Sequence, residues 1–497
     1  MGQTETALAH GELSARQLAQ GDHGAALESL MTALGLAPQA DSLWAQFSDL
    51  IRYFNLRHPV PAPVRALLAA ALEHKAVDPG NLVRPISTLA LSHPQGALAE
   101  PLLLRLLEDT VIRDAELERI LVEARRRMRK EPLPLPVMVA IAHQCFNAEY
   151  VFDETPEERS HVDALRPAEP NSYAVYAAYR PLSTLERVDR TGIESLARRQ
   201  IDEPREEKRL AGSIASLGGT HDAVSLKVRT QYEENPYPRW MRTPTSLDPA
   251  APGAGARILI AGCGTGQHAV ATALRHPTST VLAIDLSLAS LAYAKRKSAE
   301  LGITNIEYRQ GDILALGALE ERFDLVECLG VLHHMADPFE GWRVLASLRK
   351  PGARMRIGLY SEAGRRQVVR ARELIAARGF KPDAEGIRAA RAQIRNDPQL
   401  ALLARNEDFY SMSGCRDLVF HVHERRFTLP QIEDMIRRLG LEFVGFEFAD
   451  SGVTLQRYRK RFPKDPRLVD LASWNLLEQE FPDTFSRMYQ FWVRGAD

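Results

Sequence analysis

Cysteines are few in this 497-residue chain, and neither sign of charge is in excess. Cys145, Cys263, Cys328 and Cys415 are far apart and form no CxxC pair, so neither a disulfide framework nor a cysteine-ligated metal site is indicated. Basic residues number 63 and acidic residues 64, which leaves no overall field to attract nucleic acid or an anionic membrane. We expect free thiols in a reducing compartment, no metal, no nucleic acid and partners recognised by shape.

Long apolar runs are also missing. No stretch of about 18 apolar residues occurs, so no transmembrane helix is predicted. The first residues, MGQTETALAHGELSARQ, lack the basic and then apolar pattern of a secretion signal. We expect a cytoplasmic protein without a membrane partner.

The most informative stretch is 257–266, RILIAGCGTG. Its apolar residues predict a strand buried on both faces, and Gly262, Gly264 and Gly266 follow at alternate positions before a helical pattern begins. Glycines suit such a turn because the chain reverses sharply and a ligand can lie against the backbone. A dinucleotide fingerprint would need its third glycine where this chain has Gln267. The turn therefore indicates a different cofactor.

The segments that follow repeat the strand and helix steps. Residues 281–284 predict a second strand that ends in Asp285, whose carboxylate can accept the hydroxyls of a ribose. A third strand, 306–309, leads to Asp312. The alternative for either aspartate is an ordinary capping or turn residue. Further strands are predicted at 323–328, 353–360, 441–448 and 488–493.

This order of strands around a G-x-G-x-G turn resembles the class I S-adenosylmethionine-dependent methyltransferases. The resemblance implies an α/β fold with a seven-stranded Rossmann-like sheet, mostly parallel with the last strand antiparallel, and S-adenosyl-L-methionine as the cofactor. It further implies that Asp312 hydrogen-bonds the adenine amino group. The candidate cofactor-binding residues are Gly262, Gly264, Gly266, Asp285, Asp312, Ile313 and Trp240.

The segment just before the first strand, 231–240 (QYEENPYPRW), is unusually aromatic. Pro236 and Pro238 predict an extended backbone there. We expect Tyr232 and Trp240 to border the cofactor or the accepting atom, since ring faces attract a sulfonium. The alternative is that these rings only pack the joint between domains.

The chemistry that the resemblance implies is in-line displacement, in which an acceptor lone pair is aligned about 3 Å from the methyl carbon and water is excluded. His333 or His334, after the fourth strand, can take a proton from the acceptor. The catalytic candidates are His333, Tyr232 and Tyr410. Further candidates for shaping the acceptor site are Arg416, Asp417 and His421.

The length of the chain predicts two or three domains. Residues 1–150 are predicted to form an all-α domain, 151–230 a helical connector, and 231–497 the methyltransferase domain, with insertions near 362–427 and 449–486. One part of the first domain resembles a tetratricopeptide repeat closed by Pro38. Its packing positions would be Ala26, Leu30, Ala33 and Trp44. Stacked helix pairs of this kind offer a concave surface to a peptide or protein.

Three functions remain open from the sequence. The layout resembles bacterial methyltransferases with a tetratricopeptide-like front half, among them protein lysine methyltransferases, which implies a protein side-chain nitrogen recruited by the helical domain. The second hypothesis is a small-molecule O- or N-methyltransferase whose helical domain forms a homodimer. The third is a non-catalytic scaffold that binds the cofactor. The fourth strand lacks the Asn-Pro-Pro-Tyr motif, which argues against methylation of nucleic acid or of glutamine.

Overall fold

The computed structural model describes residues 2–245, 255–448, 452–485 and 488–495. Part of the second predicted insertion, residues 449–451 and 486, lies outside the described residues. The chain divides into two compact units. The first comprises Met1–Glu206, Arg239–Asp248 and Phe380–Arg416, and the second Glu207–Pro238, Pro249–Gly379 and Asp417–Asp497. This division differs from the predicted domain borders at residues 150 and 230.

The chain begins with a series of helices. They are α1 (Gln3–Ala19), α2 (His23–Leu36), α3 (Asp41–Ile51), α4 (Ala62–Glu73), α5 (Pro79–Leu91), α6 (Pro101–Asp109), α7 (Ala115–Met128), α8 (Leu135–Asn147), α9 (Pro156–Ala164), α10 (Pro170–Ala177), α11 (Glu194–Ala197) and α12 (Glu203–Ala211). Side chains cap several of these helices, as where Asp114 accepts hydrogen bonds from the backbone N–H groups of Glu116 and Leu117. Such caps satisfy backbone donors that have no partner inside the helix.

The remaining elements alternate between strands and helices. They are β1 (Ala215–Ser216), α13 (Ala223–Glu234), β2 (Arg257–Ala261), α14 (Gln267–Arg275), β3 (Thr280–Asp285), α15 (Leu288–Glu300), β4 (Ile306–Gln310), β5 (Phe323–Leu329), α16 (Pro338–Ser347), β6 (Arg349–Tyr360), α17 (Arg366–Arg378), α18 (Ala384–Asn396), α19 (Met412–Phe420), α20 (Leu429–Arg438), β7 (Leu441–Phe446), α21 (Gly452–Arg461), α22 (Leu471–Glu480) and β8 (Met488–Gly495).

The first unit contains the segment of the predicted repeat. Ala26, Leu30 and Ala33 are buried on one face of α2, and Trp44 of α3 donates its indole N–H to the carbonyl of Pro38 at 2.8 Å. Residues spaced by three and four positions share one face of a helix, so this burial follows the apolar period. The assignment as a tetratricopeptide repeat stays a prediction.

Helix α18 belongs to the first unit because a buried arginine ties it to α7. Arg391 donates to Glu118 at 2.9 Å, to the carbonyl of Phe409 at 2.8 Å and to that of Val151 at 3.1 Å. A buried ion pair is tolerated when its remaining polar atoms are hydrogen-bonded, as they are here. These contacts explain why 380–416 packs with the helices although the sequence places it inside the methyltransferase domain.

All eight strands form one sheet in the order β1-β4-β3-β2-β5-β6-β8-β7. Strand β8 is antiparallel to both β6 and β7, and the other neighbours are parallel. The predicted α/β fold, with seven strands and an antiparallel last strand, is confirmed. Strand β1 is an addition at the edge, and its two exposed residues carry no apolar pattern that predicts a strand. Strand β6 begins at Arg349, before the predicted start at residue 353.

Both faces of the sheet are covered. Ile258 and Ile260 of β2 pack into one apolar cluster, whereas Leu259 and Ala261 pack into the other. Successive side chains of a strand point to opposite faces, and a central parallel strand therefore reads as a continuous apolar run. This explains why the apolar part of 257–266 predicts the strand correctly.

The strand order reverses at β2, which lies between β3 and β5. Ligands of open parallel sheets bind outside the carboxyl ends of the strands at such a reversal. The glycine turn leaves β2 at this position. Within the described ranges, no helix is both long enough and apolar enough to cross a lipid bilayer.

Candidate active site

The glycine turn after β2 forms the floor of the site. Gly262 and Gly264 have φ angles of +76° and +52°, a region that residues with a Cβ rarely adopt. A Cβ on Gly264 would lie 2.9 Å from the carbonyl oxygen of Tyr237. The turn can therefore keep this conformation and this close packing only while these positions are glycine. Gly266, at the end of the turn, is the N-cap of α14.

Asp285 stands at the carboxyl end of β3 beside this turn. Its carboxylate accepts hydrogen bonds from the backbone N–H of Gly264 and from that of Ser287, each at 2.8 Å. Burial raises the pKa of Asp285 to about 6, a rise that these hydrogen bonds oppose and the charge of Glu233 assists. The residue thus holds the glycine turn in shape and also presents a carboxylate to the cavity described below.

Asp312 follows β4, where the sheet edge continues. It is 4% exposed, and its carboxylate accepts the backbone N–H of Leu314 at 3.0 Å at the start of a short 3₁₀ helix. Both Asp312 and Ile313 line the cavity. The capping role that the sequence left open is therefore present, and it leaves the second carboxylate oxygen for a ligand.

The segment before β2 covers the turn from above. Helix α13 continues to Glu234, so Tyr232 is helical, and the predicted extended backbone starts only beyond it, next to Pro236. The reason is that a proline excludes helix at and just before its own position and not further back. Tyr232 and Tyr237 both line the cavity. Thr265 in the glycine turn donates to the carbonyl of Pro238.

These elements enclose a cavity of about 320 Å³ whose lining residues all belong to the second unit. We divide the lining residues into two groups, which we call the two ends. The first holds the glycine turn, Asp285 and Asp312, and the second, the acceptor end, holds Tyr232, His334, Tyr360 and Asp417. Pockets for small organic ligands fall in this size range and combine apolar walls with a few polar groups.

A hydrogen-bond chain lies at the acceptor end. Tyr232 donates its hydroxyl to Asp417 at 2.6 Å, and Nε2 of His421 lies 3.2 Å from the same hydroxyl oxygen. The rings of His421 and His334 are stacked with centroids 3.6 Å apart. The pairing brings together residues that are 185 and 189 positions apart in the chain.

The backbone of His423 fixes the tautomers of both imidazoles. Nδ1 of His334 donates to the carbonyl of His423 at 2.8 Å, which leaves the lone pair on Nε2. The N–H of His423 donates to Nδ1 of His421 at 3.1 Å, so in the neutral ring Nε2 carries the proton and donates to Tyr232. A carbonyl only accepts and a backbone N–H only donates, hence the assignment is unambiguous.

His334, Asp417 and His421 each place one potential ligand atom within 4.8 Å of the others, a spacing that suits a metal ion. A ligating imidazole must offer an unprotonated nitrogen to the ion. The nitrogen of His421 that faces the cluster is the protonated Nε2, because Nδ1 is held by the His423 N–H. The geometry favours a hydrogen-bonded chain over a metal centre.

The electrostatics keep the histidines neutral. Burial lowers the pKa values of His334 and His421 to about 3. Burial also raises the pKa of Asp417, while the neighbouring His334, the Tyr232 hydrogen bond and the charge of Arg365 oppose that rise. At neutral pH, His334 is therefore an unprotonated base that lines the cavity.

The other predicted catalytic and aromatic residues lie elsewhere. His333 is fully buried and stacks on Tyr360 at 3.7 Å, so His334 and not His333 lines the cavity. Tyr410 and Trp240 belong to the first unit, and neither is among the described residues that line the cavity. The hydroxyl of Tyr410 donates to the carbonyl of Ala404 at 2.8 Å. His333 and His334 are adjacent in a short turn and point in different directions. The sequence alone does not show which of the two faces the cavity.

Two features of the site carry no signal in the sequence. Glu233 accepts the N–H groups of Leu288 and Ala289, both at 2.8 Å, and so caps α15 from a distant helix. His268, which lines the cavity, lies 3.0 Å from the buried carboxylate of Glu327. Burial raises the pKa of Glu327, but the neighbouring His268 and Arg356 and the hydrogen bonds from His268 and Thr272 hold it at about 2.

The strand order, the antiparallel last strand and the glycine turn define a Rossmann-like methyltransferase sheet. Residues 258–352 match the family model for a methyltransferase domain. The chain therefore carries a class I methyltransferase domain, and the fold and family resemblance found in the sequence is confirmed. The cofactor of that class is S-adenosyl-L-methionine.

Several known proteins resemble parts of the chain. An uncharacterized protein of Synechococcus sp. is 33% identical over 230 residues, which covers 44% of this chain and 55% of that protein. The ubiquinone biosynthesis O-methyltransferases of Azotobacter vinelandii and Pseudomonas putida are 40% and 33% identical over 103 and 175 residues. These matches cover 20% and 35% of this chain and 43% and 63% of the two enzymes. The chain thus spans about half the length of the relatives it matches.

Among solved structures, PKMT2 from Rickettsia typhi in complex with AdoHcy is 18% identical, with a TM-score of 0.40. The match covers 48% of this chain and 49% of that protein. At this level of similarity, no property of that protein is transferred to this chain.

Proposed function

We propose that this protein is an S-adenosylmethionine-dependent methyltransferase in which His334 takes the proton of the acceptor. The observation that supports the proposal best is that one cavity joins the glycine turn to an unprotonated imidazole. The cofactor supplies a methyl group already activated by its sulfonium. What the protein has to provide is alignment, exclusion of water and a base.

The residues present fit that cofactor. Gly264 lets the glycine turn pass close under the Tyr237 carbonyl, where a Cβ would lie 2.9 Å from the carbonyl oxygen, and the turn lines the cavity. The carboxylates of Asp285 and Asp312 line the cavity on the same side as the glycine turn and offer acceptors for hydroxyl and amino groups. In this arrangement Asp285 would hold the ribose, Asp312 and Ile313 the adenine, and the glycine turn the remainder of the cofactor.

For the acceptor, we propose a small molecule that carries a hydroxyl group. A neutral histidine suits the removal of a hydroxyl proton at neutral pH. Two of the relatives are named as O-methyltransferases of ubiquinone biosynthesis, and their similarity to this chain supports the same type of acceptor atom. His334 would bind the hydroxyl through the lone pair on Nε2.

The second candidate is a protein side-chain nitrogen, most simply that of a lysine. It is supported by the first unit, one segment of which resembles a tetratricopeptide repeat, a kind of stacked helix pair that can bind peptides or proteins. A lysine ammonium must also lose a proton before it attacks, so the same base would serve. If the acceptor is instead a small molecule, as in the first proposal, the helices of the first unit would mediate a homodimer.

The test is incubation of the full-length protein with methyl-tritiated S-adenosylmethionine and a lysate of its host from which the gene has been deleted. Label in the small-molecule fraction is expected, and it would support the hydroxyl acceptor. Label in a discrete protein band would establish the second candidate instead. Label no higher than in a boiled control would contradict both and would favour a cofactor-binding scaffold.

A further inference from the structure

Asp417 is an ionisable residue at the acceptor end that has no role in the reaction proposed above. Asp417 is 4% exposed, lines the cavity and lies with His334 and His421 in a cluster whose nitrogen and oxygen atoms are within 4.8 Å. A buried carboxylate costs free energy unless it has a partner. Tyr232 supplies one hydrogen bond, at 2.6 Å.

All hydrogen bonds of the hydrogen-bond chain at the acceptor end point in the same direction. The N–H of His423 donates to His421, His421 donates to Tyr232, and Tyr232 donates to Asp417. Each member accepts one hydrogen bond and donates the next, so the Asp417 carboxylate is the final acceptor, and the Tyr232 hydrogen bond opposes the rise of its pKa on burial. A chain of this kind is held more firmly than its separate hydrogen bonds.

The same chain prevents His421 from acting as the base. Its Nδ1 is occupied by a backbone N–H, and its Nε2 already carries the proton that it donates to Tyr232. A second proton would have to displace the His423 N–H from Nδ1 of His421. His334 has no such restriction on Nε2.

We propose that Asp417, held by Tyr232 and His421, is a positioning residue that stabilises the imidazolium of His334 and directs the acceptor's proton to that histidine alone. This inference rests on the proposed function. In the step concerned, the acceptor's O–H bond breaks as its oxygen bonds to the methyl carbon, and the proton passes to Nε2 of His334. The electron pair of the broken S–C bond stays on sulfur, and the new positive charge lies beside the carboxylate of Asp417.

The groups around His334 leave this role to Asp417. The neutral ring of His421 is stacked on it, and the neutral His333 and Tyr360 meet it edge to face. Arg365, just before α17, is cationic and opposes an imidazolium at His334. Arg365 is itself paired with Glu424 and lies over the Tyr360 ring. Among the described groups that act on His334, Asp417 is the carboxylate that favours its charged form.

The first test needs no acceptor. In the full-length protein labelled with ¹⁵N-histidine, NMR at pH 7 should show His334 as the Nδ1–H tautomer and His421 as the Nε2–H tautomer. His334→Gln and His421→Gln would assign the two signals. An Nδ1–H tautomer at His421 would overturn the proposed direction of the chain, whether or not the protein transfers methyl groups.

The second test separates charge from structure. Asp417→Asn keeps an oxygen that accepts from Tyr232 but removes the charge, whereas Asp417→Ala removes both. With methyl-tritiated S-adenosylmethionine and host lysate as acceptor source, Asp417→Asn should lower the initial rate at pH 7 about tenfold or more, since general-base assistance is worth about 10²–10⁴. Its rate should rise more steeply towards pH 9, where the acceptor ionises on its own.

Calorimetry supplies the control for the second test. The dissociation constant for S-adenosylmethionine should be unchanged in Asp417→Asn, because Asp417 lies at the acceptor end. An Asn variant as active as the wild type, beside an inactive Ala variant, would show that Asp417 only supports the fold and would overturn the proposal. If the wild type binds the cofactor but transfers no label, the proposed function fails, and the tautomers still decide whether the directed chain exists.

Discussion

The two ends of the cavity are built in different ways. The end with the glycine turn is formed by backbone and by residues that follow one another along the sheet, from Gly262 to Asp312. The acceptor end is formed by side chains from separate segments: Tyr232 on α13, His334 after β5, and Asp417 on α19. The first end lies within the segment that matches the methyltransferase-domain model, 258–352, whereas Tyr232 and Asp417 of the second end lie outside it.

The comparison shows which changes each end tolerates. Where backbone makes the site, the space next to Cα decides binding, and only glycine leaves that space free. Where side chains make the site, the arrangement of hydrogen-bond donors and protons decides the reaction rate. A substitution that keeps the shape of the site can therefore still abolish proton transfer. Substitutions at the two ends should therefore fail differently, the first in affinity and the second in rate.

The largest effect is expected from Gly264→Arg. A Cβ there would lie 2.9 Å from the Tyr237 carbonyl oxygen at a φ of +52°, so the substitution would displace the glycine turn that lines the cavity. Binding of S-adenosylmethionine, measured by calorimetry, should be lost, while circular dichroism keeps its helical signal. Gly302→Arg is the matched control, because Gly302 also has a left-handed φ of +68° but no atom lies within 4 Å of an added Cβ. Retained binding in Gly264→Arg would contradict the site.

The next effect is on rate. His334→Gln removes the proposed base and should slow methyl transfer to the acceptor found in the labelling experiment by about 10²–10³, in line with the usual worth of general-base assistance. The dissociation constant of the cofactor should change little. His161→Gln, an exposed histidine on α9, serves as the control. A full rate in His334→Gln would exclude this histidine as the base.

A smaller loss is expected when Asp285 becomes Ala. The carboxylate is predicted to accept ribose hydroxyls, and loss of a charge-assisted hydrogen bond costs about 1–3 kcal/mol of binding free energy. The same change also removes the acceptor of the Gly264 N–H. Calorimetry should show weaker binding of S-adenosylmethionine with an unchanged rate at saturation. Unchanged affinity would remove Asp285 from the ribose site.

The two ends also differ in how far the sequence predicts them. The glycine turn and the strand ends at Asp285 and Asp312 are local patterns, because apolar runs, turn residues and strand length are set by neighbours in the chain. The sheet, its order and its antiparallel last strand follow from the same patterns and from the family resemblance. These parts of the structure agree with the sequence analysis.

The sequence predicts the acceptor end only as a set of candidates. Tyr232, Asp417 and His421 are among them, but their mutual hydrogen bonds join positions 185 and 189 residues apart, which no local pattern reports. The choice between His333 and His334 depends on the direction of each side chain in a short turn after β5. The sequence groups Tyr410 with these candidates because it belongs to the same predicted insertion. In the structure, the ion pair between Arg391 and Glu118 packs the segment that contains Tyr410, 380–416, with the helices of the first unit.

The pH dependence of cofactor binding should reflect the first end alone. Burial raises the pKa of Asp285 from 3.8 to about 6. As the pH falls through that value, the carboxylate that accepts the ribose hydroxyls gains a proton and becomes a poorer acceptor, so the affinity should fall. Between pH 7 and pH 5 we expect a loss of about tenfold, or about 1.4 kcal/mol. Asp285→Asn should bind weakly with no such dependence, and a wild-type affinity that is flat over this range would contradict the assignment.

The smallest effect concerns Glu233, which belongs to the same helix as Tyr232 but acts on the cofactor end. Its negative charge contributes to the raised pKa of Asp285, and its carboxylate caps α15. Glu233→Gln should therefore move the pH midpoint of cofactor binding to a lower value, while an amide oxygen still accepts a backbone N–H. Because the cap loses its charge, the unfolding free energy should also fall by about 0.3–1 kcal/mol.

The control for this last prediction is Glu234→Gln, which removes the same charge one residue further along α13 and should leave the midpoint where it is. Calorimetric titrations of S-adenosylmethionine at several pH values measure both variants. A midpoint that shifts equally in the two variants would mean that only the overall charge of the helix matters. A shift confined to Glu233→Gln would show that α13, whose Tyr232 serves the acceptor end, also tunes the carboxylate at the cofactor end.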